Sequence, residues 1–551
     1  MPVAQLKYTE KTLLKNLTFH CLIRCNSVNL YMQGKKKFTP KLFYQVSLED
    51  LVPEDNFYRK LQTALDLQFL YKKTEKYYGT DGQESIDPVV FFKFCLVGYL
   101  NNIISDRKLV SYCSDSLAIR LFLGYDLDEK LPWHSTISRT RKLYEEAIFE
   151  KVFQTVLQQC VENGLVSGHT QSVDSAFTKA NASMDSLELK VPAQELEAYL
   201  HQVRHISDMD KAPIRRAKNN KASQKQRTIQ SDKNKLREIS TRQKKWSKDQ
   251  NMRTGASNKK SKYTSNKTHY SPVDPDARIS VKPGKARKLN YFMQMGVDDA
   301  HQVITGIQAD FADQKDNQCL QSITEKIVNN LSQSGQKIER LLADAGYSSG
   351  ENYAWLEKRG IESYIPPHGT YKGGPEGFTY HKEGNYWECP QGKHVTFRKQ
   401  KIEKGTLKDY YFTKRSDCKG CPLKAQCIGK QHEKRISITA YREAYERNNA
   451  RLQQNRWHKS KRMSTVEPVF GTLINFLGMR KVNTRGIQQA NKCMLMAATA
   501  FNLKKLLKYA QKPPKSCANL MKIATKTRES LRFYLNLILG LHTCHLSNLK
   551  I

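Results

Sequence analysis

The chain has 551 residues, too many for one hydrophobic core, so two to four domains are expected. Lysine and arginine total 91 against 53 acidic residues, a formal charge of +38, which points to polyanionic partners: nucleic acid first, an anionic membrane surface second. No apolar run reaches the ~18 residues that cross a bilayer. No secretory leader pattern opens the chain, and thirteen scattered cysteines do not look like a secreted disulfide framework, so a reducing cytoplasm is the expectation.

Residues 1–35 lack periodicity and read as a tail. Residues 36–165 read as a helical domain. Asp87-Pro88 supplies a cap with proline at the first helical position, ahead of an apolar run from Val89 to Ile104. Ser105-Asp106 starts a second short helix, and Gly124 ends a third near Leu117 to Leu123. His134-Ser-Thr-Ile-Ser-Arg-Thr-Arg-Lys142 then opens a long helix expected to stop at Gly164. Short helices before one with a polar, basic first turn match a helix-turn-helix DNA reader, and equally a bundle with a solvated basic face. Ser138, Arg139 and Arg141 are the candidate DNA contacts.

Residues 166–184 hold Thr170-Gln-Ser-Val-Asp174-Ser-Ala-Phe177, short and β-prone. A basic insertion follows over 185–273. Between Lys211 and Tyr270 there are 19 Lys/Arg against 3 Asp/Glu, too polar to offset the entropy of ordering, with Trp246, Tyr263 and Tyr270 available to stack on bases. Residues 274–370 read as strands Leu289 to Val297 and Gln302 to Ile307 around Asp298-Asp299, a helix near Gln318 to Leu331, then a strand ending near Asp344, a helix Glu351 to Arg359 and a strand Ile361 to Ile365. That last trio is a βαβ unit, whose strand C-termini collect ligands. Residues 371–450 form an insertion with cysteines, 451–511 a helical close, and 512–551 a tail.

Asp174, Asp344 and Glu467 stand at the expected ends of separate elements in a very basic chain. Each alone has an ordinary explanation as turn former or cap. Glu467 in particular fits a capping box with Ser464, with Pro468 in the first helical turn. Together they suit a carboxylate site for hard cations such as Mg²⁺, two of which could serve phosphodiester chemistry. Separately, Cys389, Cys418, Cys421 and Cys427 include a C-x-x-C pair with the spacing of a structural zinc site; unligated thiols are the alternative.

Four segments resemble those of bacterial insertion-sequence transposases with an Asp-Asp-Glu triad: Val173 to Ser183, Asp274-Pro-Asp-Ala-Arg278, Leu342 to Ser348, and Thr465-Val-Glu-Pro-Val-Phe-Gly471. The resemblance spans roughly residues 36–510. It implies an α/β fold with an RNase H-like mixed-sheet core, an N-terminal all-α domain and the two insertions. It further implies cut-and-paste transposition on two Mg²⁺ (or Mn²⁺) ions held by Asp174, Asp344 and Glu467. Arg462 matches the basic residue found near the glutamate, whereas Lys459 and Ser460 stand where many relatives carry tyrosine. Arg462, Arg480 and Lys481 are expected on phosphates. The implied partner is double-stranded DNA, at transposon ends and target, bound by a homodimer in the bacterial cytoplasm on the nucleoid. A metal-dependent nuclease without strand transfer and an inactive DNA-binding relative are the alternatives.

Overall fold

The structure is a computed structural model that describes residues 45–79, 85–189, 266, 269–281, 286–369, 373–403 and 405–510. The tail 1–35, most of the basic insertion with Trp246 and Tyr263, and the tail 512–551 lie outside the described residues. Residues 1–51 and 52–551 form separate compact units. Of the first, the described part is one short helix, α1 (Leu48–Leu51), opened by Ser47, whose Oγ accepts from Asp50 N.

In the second unit, local signals set most helix ends. α2 is Phe57–Ala64 and α3 is Phe69–Thr74. Asp87 caps α4 (Pro88–Leu100) by accepting from Val89 N and Val90 N, with proline at its expected place. Ser105 caps α5 (Asp106–Ser114), and Gly124, at φ +83°, closes α6 (Leu117–Leu123) in the left-handed conformation that glycine tolerates. The long helix expected from His134 to Gly164 is two: α7 (His134–Leu143) and α8 (Glu146–Glu162). Tyr144 is extended at the break because its ring is buried against Phe91 and Phe92. Core packing overrides a continuous helical pattern there.

The strands are β1 (Thr170–Lys179), β2 (Glu188–Leu189), β3 (His269–Tyr270), β4 (Arg278–Ser280), β5 (Lys288–Asp298) and β6 (Ile304–Phe311). Then come α9 (Asp316–Ser332), β7 (Arg340–Leu342), α10 (Gly350–Lys358) and β8 (Glu362–Tyr364). The main sheet runs β6-β5-β1-β7-β8, with β4 sharing the outer side of β5 with β6. β1 is antiparallel to β5 and parallel to β7, and β7 is parallel to β8, so the sheet is mixed. Gly296 and Gly306 let α9 approach: a methyl at either position would fall within 2.8 Å of the Ile327 side chain.

A second sheet is an antiparallel meander of β9 (Thr379–His381), β10 (Tyr386–Glu388), β11 (His394–Glu403), β12 (Thr406–Phe412) and, after α11 (Arg415–Cys418) and α12 (Lys424–Cys427), β13 (Arg435–Thr439). It has its own small core of Trp387, Val395, Tyr411 and Ile436. Cys389 follows β10, and Cys418, Cys421 and Cys427 lie in and between α11 and α12. Helices α13 (Arg442–Gln454), α14 (His458–Phe476) and α15 (Ile487–Ala510) follow.

α15 closes the main sheet. Asn502 accepts from Ile304 N and donates to Ile304 O, and Asn491 accepts from Ala309 N, satisfying the outer edge of β6. The spacing matches, since eleven helical and five extended residues each span about 16 Å. One hydrophobic core runs from Leu61 in α2 through β1 and β5 to Leu507 in α15.

Candidate active site

β1 delivers Asp174. The strand continues to Lys179, so Asp174 sits in its middle and not at the end of an apolar run, as the sequence pattern implied. Its Oδ1 accepts from Ser175 N at 2.7 Å and its Oδ2 from Arg462 Nη1 at 2.7 Å. Burial pushes the carboxyl up to about 6; the Ser175 amide and Arg462 oppose that rise, and the charges of Asp344 and Asp316 add to it.

Asp344 arrives on the neighbouring parallel strand. β1 and β7 pair Ser172 with Leu342, and carrying that register two residues on sets Asp344 alongside Asp174. Asp344 is also the turn former that its sequence allowed, since Oδ1 accepts from Gly346 N at 2.9 Å. Capping the turn fixes the carboxylate at the sheet's edge.

Glu467 comes from α14, but not from its start. The helix begins at His458, so the capping box with Ser464 does not form and Pro468 lies inside the helix. The proline removes the N–H that Ser464 O would accept. Gln302, in the turn after β5, donates to that carbonyl instead at 2.8 Å, and its Oε1 accepts from Lys505 Nζ. Glu467 is half exposed, with Oε1 3.8 Å from Arg462 Nη2. Arg462 therefore bridges Asp174 and Glu467. Only 16 % of its side chain is exposed, so the expected phosphate contact is replaced by a pairing with the two acids.

Hard, oxygen-only donors suit a divalent cation of the Mg²⁺ class, so the residue set fits. The separations are not those of a closed chelate. Among the described residues no three His, Cys, Asp or Glu side chains stand as a metal-holding group, and the Arg462 guanidinium holds the space between Asp174 and Glu467.

Residues 46–143 match the family model described as Transposase domain (DUF772), and residues 388–507 match the one described as Transposase DDE domain. No curated protein and no solved structure matches the chain. The two matches together support an insertion-sequence DDE transposase. The DDE match takes in the four cysteines, Arg462 and Glu467, while Asp174 and Asp344 lie between the two matches.

The other sequence candidates separate by exposure. Arg139 is exposed on α7. Arg141 is not: it is 7 % exposed, and its guanidinium is bidentate to Asp106 at 2.6 and 2.9 Å, which removes it from any DNA-facing surface. The cause is helical phase, because Arg141 lies one turn after the buried Ile137. Arg480 is exposed, and Lys481 lines a cavity of about 540 Å³ with Lys179, Arg287 and Lys288. The backbone of Lys179 pairs with Arg480 O and Val482 N, which fastens this loop to the end of β1.

Cys389, Cys418, Cys421 and Cys427 line one cavity of about 420 Å³. Lys393 N donates to Cys389 Sγ at 3.4 Å in a turn closed by Gly392 at φ +69°. Among the described residues no helix is long and apolar enough to cross a membrane.

Two features escaped the sequence reading. Asp274 and Asp276 of the Asp-Pro-Asp segment hold the loop before α15, accepting from Gly486 N and Ile487 N. Asp316, at the head of α9, lies near Asp174 and Asp344; its sequence signal was only that of an acid at a helix start.

Proposed function

We propose that this transposase cleaves DNA at the ends of its element and joins the freed end to a target, with Asp174, Asp344 and Glu467 holding divalent cations in an RNase H-like core. The observation that carries the reading is the salt bridging of Arg462 to both Asp174 and Glu467, with Asp344 in register beside Asp174. Acids remote in sequence are thereby gathered on one edge of the sheet. Strand order β6-β5-β1-β7-β8 with only β5 reversed against its neighbours supports the RNase H-like description.

Transposases of this family use divalent metals; when bound, such ions supply Lewis-acid activation of the nucleophile and charge neutralisation at the leaving oxygen. Water adds to the scissile phosphorus and the P–O3′ bond breaks, leaving a 3′-hydroxyl. That hydroxyl then attacks a target phosphodiester, giving up its proton as the target strand's own 3′-oxygen leaves. Within this scheme Asp174, Asp344 and Glu467 position the cations, and Arg462 is the resident counter-charge that must move aside. Arg480, Lys481 and the exposed Arg139 contact phosphates, and the four cysteines hold a structural Zn²⁺. A homodimer pairs the element ends.

Replacing Asp344 by Asn in the full chain is the test, with the DNA flanking the gene as substrate. Strand cleavage should vanish while DNA binding persists. Retained Mg²⁺-dependent cleavage overturns the assignment, and nicks without joined products would favour a nuclease.

A further inference from the structure

We propose that Asp316 is a fourth carboxylate of the metal site, an inference that rests on the reading of Asp174, Asp344 and Glu467 above. An acid in the first turn of a helix is ordinarily a partner of the helix dipole. Asp316 departs from that role in where its side chain goes. The N-terminus of α9 is already served by Gln318, whose Oε1 accepts from Lys315 N at 2.9 Å. Asp316 instead turns back to β1, where its Oδ1 accepts from Ser175 Oγ at 2.6 Å, one residue from Asp174.

Its other oxygen faces Asp344 across Gly346. A methyl built on Gly346 would stand 2.7 Å from Asp316 Oδ2 and 3.0 Å from Asp344 Oδ1, so those oxygens lie within the sum of the two distances. A side chain at position 346 would press on both carboxylates, which would have to shift. Beneath them, Gln294 is fully buried on β5 opposite Ser175. Its Oε1 accepts from Tyr347, while its Nε2 lies beside Asp316 without a fully formed hydrogen bond.

Neighbouring carboxylates stay ionised together only with a compensating cation; without one, one of them takes up a proton. Among the described residues neither Asp316 nor Asp344 has a salt-bridge partner, because Arg462 serves the other two acids. The geometry thus leaves Asp316 and Asp344 as an oxygen-only pair, the donor type that a hard divalent cation takes.

The test is Mn²⁺ titration of the full-length protein followed by electron paramagnetic resonance, comparing wild type, Asp316→Asn and Asp174→Asn. Asp316→Asn should lose about tenfold or more in Mn²⁺ affinity with an unchanged melting temperature, and Asp316→Glu should recover part of it. Binding within twofold of wild type for Asp316→Asn, while Asp174→Asn is impaired, overturns this proposal alone. If Asp174→Asn also binds normally, the three-acid reading fails first. Should Asp316→Asn misfold, Ser175→Ala frees the Asp316 carboxylate without removing it: a severalfold loss is expected, and unchanged affinity overturns the inference.

Discussion

Arg462 does at residue scale what a metal would do at the scale of the site. It neutralises Asp174 at 2.7 Å and reaches Glu467 at 3.8 Å, with both members of the closer pair mostly buried. Arg462→Gln would strip Asp174 of its counter-charge. The loss is bounded, because the carboxyl already sits near 6 and would take up a proton near neutral pH, limiting the destabilisation to about 1–2 kcal/mol. The same change removes the group that competes with a divalent cation. Metal-free Arg462→Gln should therefore melt lower than wild type, and Mg²⁺ should raise its melting temperature more than it raises that of wild type. Thermal shift measured with and without Mg²⁺ checks both halves. An equal Mg²⁺ response in the two proteins would mean that Arg462 does not occupy the cation's place.

At the scale of elements, α14 carries Glu467 through a helix broken in its hydrogen bonding by Pro468, and the turn after β5 mends it through Gln302. Gln302→Leu should leave Ser464 O without that partner and cost about 0.5–1.5 kcal/mol. Because the link also fixes α14 against the sheet, cleavage rate should fall more than DNA affinity does; a variant weakened equally in both would refute the positioning role. The cysteine-bearing second sheet gives a second prediction. Four thiols around one cavity should bring about one zinc per chain by elemental analysis of purified protein, and Cys418→Ser with Cys421→Ser should abolish it. Legibility in the sequence follows the same division. Caps and turns at Asp87, Ser105 and Gly124 were local, and the structure has them where the pattern put them. Arg141, Tyr144 and the start of α14 depended on what packs against them. Their local signals therefore misled: a basic residue turned inward, and a Ser-x-x-Glu pattern lay within a helix. Asp174, Asp344 and Glu467 could be picked out as acids, but the bridging of Asp174 and Glu467 by Arg462 and the parallel register that sets Asp344 beside Asp174 are not written in any one segment.

For the whole molecule, α15 is the tie. It edges β6 through Asn491 and Asn502, and from the same helix Lys492, 3 % exposed, donates to Arg141 O at 3.1 Å and Tyr144 O at 2.6 Å. Those carbonyls close α7, where the helix has no partners of its own. Burial lowers the lysine's pKa, so its charge is kept at the expense of desolvation and has few substitutes. Lys492→Met keeps the bulk but leaves Tyr144 O unpaired, at about 1–3 kcal/mol, while the Gln489 side-chain amide still donates to Arg141 O at 3.2 Å. Since one apolar core runs from α2 to α15, that loss should not peel the helical region away from the sheet. Urea denaturation of Lys492→Met should show a lower midpoint with a single transition, coincident by far-ultraviolet circular dichroism and tryptophan fluorescence. By the same logic a fragment lacking residues 52–165 should not hold a native sheet, since α15 would lose α8 and α4, against which it packs. Two separated transitions, or a cooperatively folded fragment, would show that the helices and the sheet are independent domains after all.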